Sequence, residues 1–334
     1  MVKEPIRNDE GALLNGRSSA PNTGTFRGLV ESGRKHSHPI GECISLYQEG
    51  SSTTKIAELY GVGSSTIWRY LRGHIQLRDR VSSAIAASTR FSKSPFSGNE
   101  CEGAYLAGFV EDFNVRKSGR LLELRTATTH PAMVSLFHYL FARYGHPTSS
   151  PSYDNFHGYY RYLLNVYLHY SFERFLTKST GLPSWIPQSA DNPVFQSYLA
   201  GLISAEGCIR LYDNHGHADA VLHITLNKPL LLEQLSRVIG GRLYKVQRAW
   251  RLVVYGKAAV GLLLRLNIRH AEKVQKARMT IDSTGEDWLT IQPKWQQLVD
   301  GIRKEVLGYK TTARLDYIRK HNSPHPDEMM RVRG

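Results

Sequence analysis

Tyr105-Leu106-Ala107-Gly108-Phe109-Val110 recurs as Tyr198-Leu199-Ala200-Gly201-Leu202-Ile203, 93 residues further on, and the reading of this pair decides the fold. Each copy leads into the same succession. A basic stretch with hairpin alternation comes first, residues 115–129 in one copy and 208–227 in the other. His130-Pro131 and Lys228-Pro229 then open amphipathic helices, proline being suited to a first helical turn. Glycine ends each, Gly145 and Gly240-Gly241. A second hairpin follows, whose closing strands (161–167 and 251–255) both begin with arginine, and a short helix completes the unit. The pattern αββαββα, twice, is too long for a solenoid repeat. It predicts an α+β fold of two pseudo-twofold subdomains, 101–181 and 194–283, joined by a Pro-rich connection at 182–193. Beyond them, Ile291, Trp295, Leu298, Val299, Ile302 and Val306 fall at helical spacing, so residues 284–334 are expected to form a helical extension that packs back.

Small residues lie four apart in each motif: Ala104 and Gly108 in the first, Ser197, Gly201 and Ala205 in the second. Such a stripe admits another helix backbone at close range. The two motif helices are therefore expected to pack on each other, with their C-terminal ends at one spot beside the sheets. An acid there can hold a hard divalent cation through oxygen, and such an ion can polarise a phosphate and activate water. Glu206, just ahead of the helix-ending Gly207, is that acid in the second copy. A carboxylate at a helix C-terminus opposes the macrodipole unless a cation compensates.

Upstream of the repeats the composition changes. Residues 1–35 are rich in Ser, Gly, Asn and Arg without hydrophobic period and read as a disordered arm. Residues 36–80 read as three short helices. The first ends at Gly50, the second is capped by a hydroxyl among residues 51–54, and the third is capped by Ser64 or Ser65 and stops at Gly73. Ala57, Gly61-Val62, Ile67 and Leu71 keep the register that two helices crossing over a short turn require, a pattern similar to helix-turn-helix domains of the resolvase or transposase kind. Ser65, Thr66, Trp68, Arg69 and Arg72 then face outward, able to touch phosphates or base edges. Residues 81–100 read as a linker.

Composition narrows the partners. In 334 residues, 43 Lys and Arg stand against 29 acids, a net charge of +14, which draws polyanions. Residues 181–270 hold 10 basic residues against 5 acids while residues 36–100 hold 7 against 5, so the excess lies in the repeats and no single tail carries it. Cys43, Cys101 and Cys208 are too few and too dispersed for a disulfide framework or a four-cysteine zinc site. No apolar run approaches the roughly 20 residues of a membrane span, and no secretory h-region opens the chain. The expectation is an intracellular, nucleoid-associated protein of the cytoplasm with nucleic acid, not membrane, as its partner.

The stretches Leu106-Ala-Gly-Phe-Val-Glu-Asp-Phe-Asn114 and Leu199-Ala-Gly-Leu-Ile-Ser-Ala-Glu-Gly207 resemble the motif that names the LAGLIDADG homing endonucleases. The resemblance covers roughly residues 100–280, including the connection Leu182-Pro-Ser-Trp-Ile186. It implies a single-chain, two-motif, monomeric endonuclease of double-stranded DNA that works with Mg²⁺ or Mn²⁺. Glu206 matches the family's metal-binding acid. Lys273, in Lys273-Val-Gln-Lys-Ala277, is similar to its active-site lysine by a position ahead of the closing helix, where it would stabilise phosphate charge or orient water. The first copy departs from the pattern: Phe113 stands at the place of Glu206, and Asn114 at that of Gly207. Asp112 and Glu111 offer acids one and two residues short of it. Asp112, four after Gly108, shares the seam face and reaches the site if the helix ends early. Glu206, Asp112, Glu111 and Lys273 are thus the catalytic candidates, with Glu206 and Asp112 as metal ligands. Phe113 equally suits a DNA-binding or regulatory protein that no longer cuts, and the charge alone also suits an RNA-binding, maturase-like protein.

The hairpins supply a reading surface. Arg116, Lys117, Arg120, Arg125, Tyr159 and Arg161 are its candidates in the first copy. Arg210, Lys245, Arg248 and Arg251, interleaved with Tyr212, Tyr244 and Trp250, are those of the second. Some will contact phosphate and some base edges. His215, His217 and His223 have no partners at zinc-ligand spacing and read as loop and strand residues.

Overall fold

One hydroxyl cap and one left-handed glycine shape the N-terminal helices. The Ser52 hydroxyl accepts from the Lys55 amide at 3.1 Å and starts the helix Thr53–Tyr60. Gly61, at φ 64°, ends it, and Val62 N–H closes back on the Ala57 carbonyl at 2.9 Å. The third helix, Ser64–Arg72, starts from Gly63 without a side-chain cap, so neither Ser64 nor Ser65 plays that part. With Ile40–Gln48 it encloses a small core of Cys43, Tyr47, Ile56, Ala57, Ile67 and Leu71.

The computed structural model describes residues 40–79, 91–118 and 121–328, in two units that divide between Arg78 and Asp79. The arm expected at 1–35, residues 36–39 and 80 of the helix-turn-helix segment, residues 81–90 of the linker, Arg120 and residues 329–334 lie outside them.

The second unit contains the repeat. Strands β1 (Asn114–Ser118), β2 (Leu121–Thr128), β3 (Thr148–Asp154) and β4 (Tyr159–Leu168) form an antiparallel sheet of order β1-β2-β4-β3. Strands β5 (Gly207–Asn214), β6 (His217–Leu226), β7 (Arg242–Val246) and β8 (Ala249–Tyr255) repeat that order as β5-β6-β8-β7. Period-two alternation fixes the core face. On β4 it is Tyr160, Tyr162, Leu164, Val166 and Leu168 that are buried, and on β6 Ala218, Ala220, Leu222, Ile224 and Leu226.

The motif helices, Glu100–Phe109 and Pro193–Glu206, are capped by Asn99 and Asn192 and are the tightest contact in the fold. A Cβ on Gly108 would stand 2.0 Å from the Tyr198 carbonyl oxygen, and one on Gly201 would stand 2.0 Å from that of Tyr105. The symmetry of these two approaches is the pseudo-twofold axis itself. Any side chain at either glycine would push the backbones apart.

Three expectations are revised. Residues 91–99 are not free linker: Ser94 N–H donates to the Tyr144 carbonyl, Phe96 N–H to the Ser171 hydroxyl, and the Phe96 ring packs on Tyr144, Phe172 and Phe175. Apolar burial of one phenylalanine draws the segment onto the first repeat. The helix after β2, Pro131–Phe141, stops before Gly145. The second repeat closes with Gly256–Arg265 and then adds Ala271–Ser283, so Lys273 lies past the closing helix, in the first turn of the next one. The extension is the helix Trp288–His321. It buries Ile291 and Trp295 against Leu211 and Ala218, then reaches the first repeat, where Tyr309 meets the Tyr162 ring. No helix among the described residues is long and apolar enough to cross a membrane.

Candidate functional site

The two motif helices end differently. The second runs through Glu206 and passes directly into β5 at Gly207, where a Cβ would meet Ile203 atoms at 2.7–2.8 Å. The first stops at Phe109, and residues 110–113 form a turn closed by Phe113 N–H on the Val110 carbonyl at 2.9 Å. Phe113 explains the early end. Only 3% exposed, it packs edge-on against Phe109 at 4.9 Å, inside the core. Glu111, also buried, accepts from the Lys228 ammonium at 2.7 Å. It is therefore held as an ion pair with the other repeat and is not a free ligand. Asp112 is left exposed in the turn.

Asp112 and Glu206 share one electrostatic neighbourhood. Burial pushes the Glu206 carboxyl up to about 7 and the Asp112 charge adds to it, while Lys273 and Lys178 pull the other way. Lys273 donates to the carbonyls of Ile203, Ser204 and Ala205 at 2.9, 2.9 and 2.6 Å. An ammonium has three donors, so all are spent on the last turn of the helix that ends in Glu206. This is the cation that the macrodipole there requires. Burial lowers the Lys273 ammonium to about 8, with Glu206 opposing. Lys178 was not foreseen from the sequence. Burial, then the charge of Lys228, lowers it, while Asp112, Glu111 and Glu206 hold it up. It is exposed and follows the short helix Glu173–Leu176 that closes the first repeat, which is the one signal that could have found it.

Register sorts the sheet candidates, because directly paired residues share a face. Arg116 pairs with Glu123 and Arg125 with Asn165, away from the core, and Arg161 lies opposite Ser152 on that same open face. Lys117 instead pairs with the buried Leu122 and bridges to Glu173, and Lys245 pairs with Trp250, which packs against the core. Both lysines thus stand on the helix side, one residue out of phase with the open face. On the second sheet Arg242 and Tyr244 pair with Val253 and Arg251 across from the core, joining Arg210, Tyr212 and His223. Arg242, Glu123 and Asp154 were overlooked on the sequence. Arg248 is exposed at the β7–β8 turn, His215 occupies the β5–β6 turn at φ 54°, and His217 starts β6. Tyr159 pairs with Asp154. Cys208 pairs with His223; burial raises its thiol, but His223 and Arg210 more than offset that and bring it to about 7.

In the N-terminal unit, Ser65, Trp68, Arg69 and Arg72 are exposed and Thr66 is half-buried, with the Arg72 guanidinium 5.2 Å from the Trp68 ring centre.

Residues 33–74 match the helix-turn-helix domain of resolvase. No curated protein matches the chain. Among solved structures the chain is similar to LAGLIDADG proteins. The homing endonuclease I-WcaI bound to its DNA recognition sequence is 13% identical, covering 54% of this chain and 86% of that one at a TM-score of 0.40. I-SmaMI bound to uncleaved DNA target in the presence of calcium ions is 13% identical over 64% of this chain and 98% of that one, at 0.35. The N-terminal LAGLIDADG domain of DUF199/WhiA is 19% identical over 55% and 89%, at 0.34.

Proposed function

We propose that the protein is a site-specific, divalent-metal-dependent endonuclease of double-stranded DNA, with the N-terminal helix-turn-helix as a second DNA-binding module. The observation that carries this reading is the juxtaposition of Asp112 and Glu206, from the ends of two helices locked at Gly108 and Gly201. A buried carboxylate whose charge the neighbouring Asp112 disfavours is what a dication relieves, and the oxygens of both suit Mg²⁺ or Mn²⁺. Among the described residues no third ligating side chain joins them, so phosphate oxygens and water would complete the shell. Such an ion, when bound, would polarise the phosphate and lower the pKa of water. Glu206 and Asp112 would hold it. Lys178, whose ammonium makes no ion pair among the described residues, is placed to neutralise phosphate charge, and Lys273 holds the helix end that aims Glu206. One chain supplies both motifs, so a monomer suffices.

Phe113 in the core favours a second reading, a binding protein that no longer cuts. Purified protein incubated with a supercoiled plasmid library and Mg²⁺ or Mn²⁺ separates the two. Linear or nicked product from wild type, lost in Glu206→Gln, supports the endonuclease; binding without any product supports the second reading. Preference for structured RNA over duplex DNA in competition would point to the RNA-binding alternative.

A further inference from the structure

The two open faces each present three arginines and treat them differently. On the first sheet Glu123, 1% exposed, lies between Arg116 and Arg125: Arg116 Nε donates to one carboxylate oxygen, and Arg125 Nε is 3.3 Å from the other. The Tyr167 hydroxyl and the Asn165 amide donate to that second oxygen at 3.1 and 3.3 Å. Asp154, 6% exposed, accepts from Arg161 Nη1 at 2.6 Å and lies 3.0 Å from the His157 ring nitrogen. Burial penalises both carboxylates, yet their hydrogen bonds and the neighbouring cations hold both below the usual range, so they stay charged at neutral pH. On the second sheet Arg210, Arg242 and Arg251 have no carboxylate partner among the described residues. The one acid on that face, Asp219, accepts from Tyr212 and Asn214, and Arg251 Nε donates to the neutral Thr225 hydroxyl at 3.1 Å. Three cations thus stand against two buried anions on one face; on the other, three stand against one carboxylate and the Cys208 thiol, which His223 and Arg210 bring to about 7, so Arg242 and Arg251 are the two with no anionic neighbour among the described residues.

Resting on the DNA reading above, we propose that recognition is divided between the sheets. Arg116, Arg125 and Arg161, tethered by Glu123 and Asp154, read base edges in one half of the target; Arg242 and Arg251 grip phosphates in the other. A guanidinium fixed at one edge keeps donors for guanine O6 and N7 and has little rotamer freedom left to lose on binding. Its charge is already compensated, so its attraction to phosphate is weak. An uncompensated guanidinium releases counterions, at about 0.9 in the slope of log affinity against log salt per contact.

Two measurements on the full chain test this: the salt dependence of binding to a random-sequence duplex, and the consensus selected from a randomised duplex library. Arg242→Gln and Arg251→Gln should each flatten the slope by about 0.9 and leave the consensus intact. Arg116→Gln should barely change the slope and should erase positions in one half of the consensus; because it removes a partner of the buried Glu123, it is read beside its melting temperature, with Arg116→Lys, which keeps the charge but not the fork, expected to lose the same positions. Glu123→Gln, if its melting temperature is kept, should steepen the slope and blur the same half. Equal slope losses for Arg116→Gln and Arg242→Gln, or a consensus indifferent to Arg116→Gln, would overturn the division while leaving DNA binding standing. No binding of wild type to any duplex at low salt would overturn both.

Discussion

The two motif helices come from one sequence pattern, meet at equivalent glycines, and part company at their ends. In the second repeat the helix keeps its register to Glu206 and is held there by the Lys273 ammonium. In the first, Phe113 leaves for the core, the helix gives up after Phe109, and the acid nearest the site is the exposed Asp112. The difference shows how a motif position can lose its residue while the place keeps a charge: one side chain's demand for burial moves the backbone, and the backbone brings up a neighbour.

The comparison can be broken at its common point first. Gly201→Leu should prevent the repeats from packing, since its Cβ alone collides with the Tyr105 carbonyl, and the cost should exceed the about 1–3 kcal/mol of ordinary overpacking. A circular dichroism melt unchanged from wild type would mean that the helices do not meet there. Next in size, Glu206→Gln should abolish cleavage while duplex affinity is kept, read by gel assay beside a binding titration. Asp112→Asn should turn double-strand breaks into nicks or into no product; undiminished double-strand cutting would remove Asp112 from the site. Lys273→Met should lower cleavage about tenfold and also the melting temperature, because three carbonyls at the end of the helix lose their donor; Lys273→Arg should restore part of both.

The smallest effect is one of pH. Glu206 is raised from 4.5 to about 7 in the folded protein, so the folded state binds its proton more tightly than the unfolded one. The stability this gives is fully present below pH 4.5 and is lost as pH rises through 7. In metal-free protein, Glu206→Gln should therefore melt a few degrees above wild type at pH 8 and together with it at pH 4.5. A gap that ignores pH would show that burial does not hold the Glu206 carboxyl up.

Much of this was legible beforehand, for physical reasons. Periods of two and 3.6 residues mark which side chains must be buried, so the element order, the repeat and the glycines of the seam could be read directly. The helix-turn-helix register, from Ala57 through Gly61 to Leu71, depends on the same local rules. What escaped was decided at long range. Glu111 is claimed by Lys228, 117 residues away. Glu123 claims two arginines because strand pairing sets all three together, and Lys117 and Lys245 lie on the helix side because a single step of register exchanges the faces of a sheet. Lys273 belongs to a helix that only the second repeat possesses, so comparing the copies could not find its place.

The long C-terminal helix sets the order in which the chain can mature. Tyr162 of the first repeat donates its hydroxyl to Asp316, 154 residues downstream, and Tyr160 donates to Glu328, 168 downstream. Both tyrosines are buried on the core face of β4, so their hydroxyls find acceptors only after the whole second repeat has been threaded past. The first repeat is topologically finished long before it is finished in hydrogen bonds. High sequence separation of this kind slows folding and couples distant parts into one transition. The two halves, for all their symmetry, are not equals in time: a nascent chain carrying only the first would leave the Tyr160 and Tyr162 hydroxyls waiting for acceptors it has yet to synthesise.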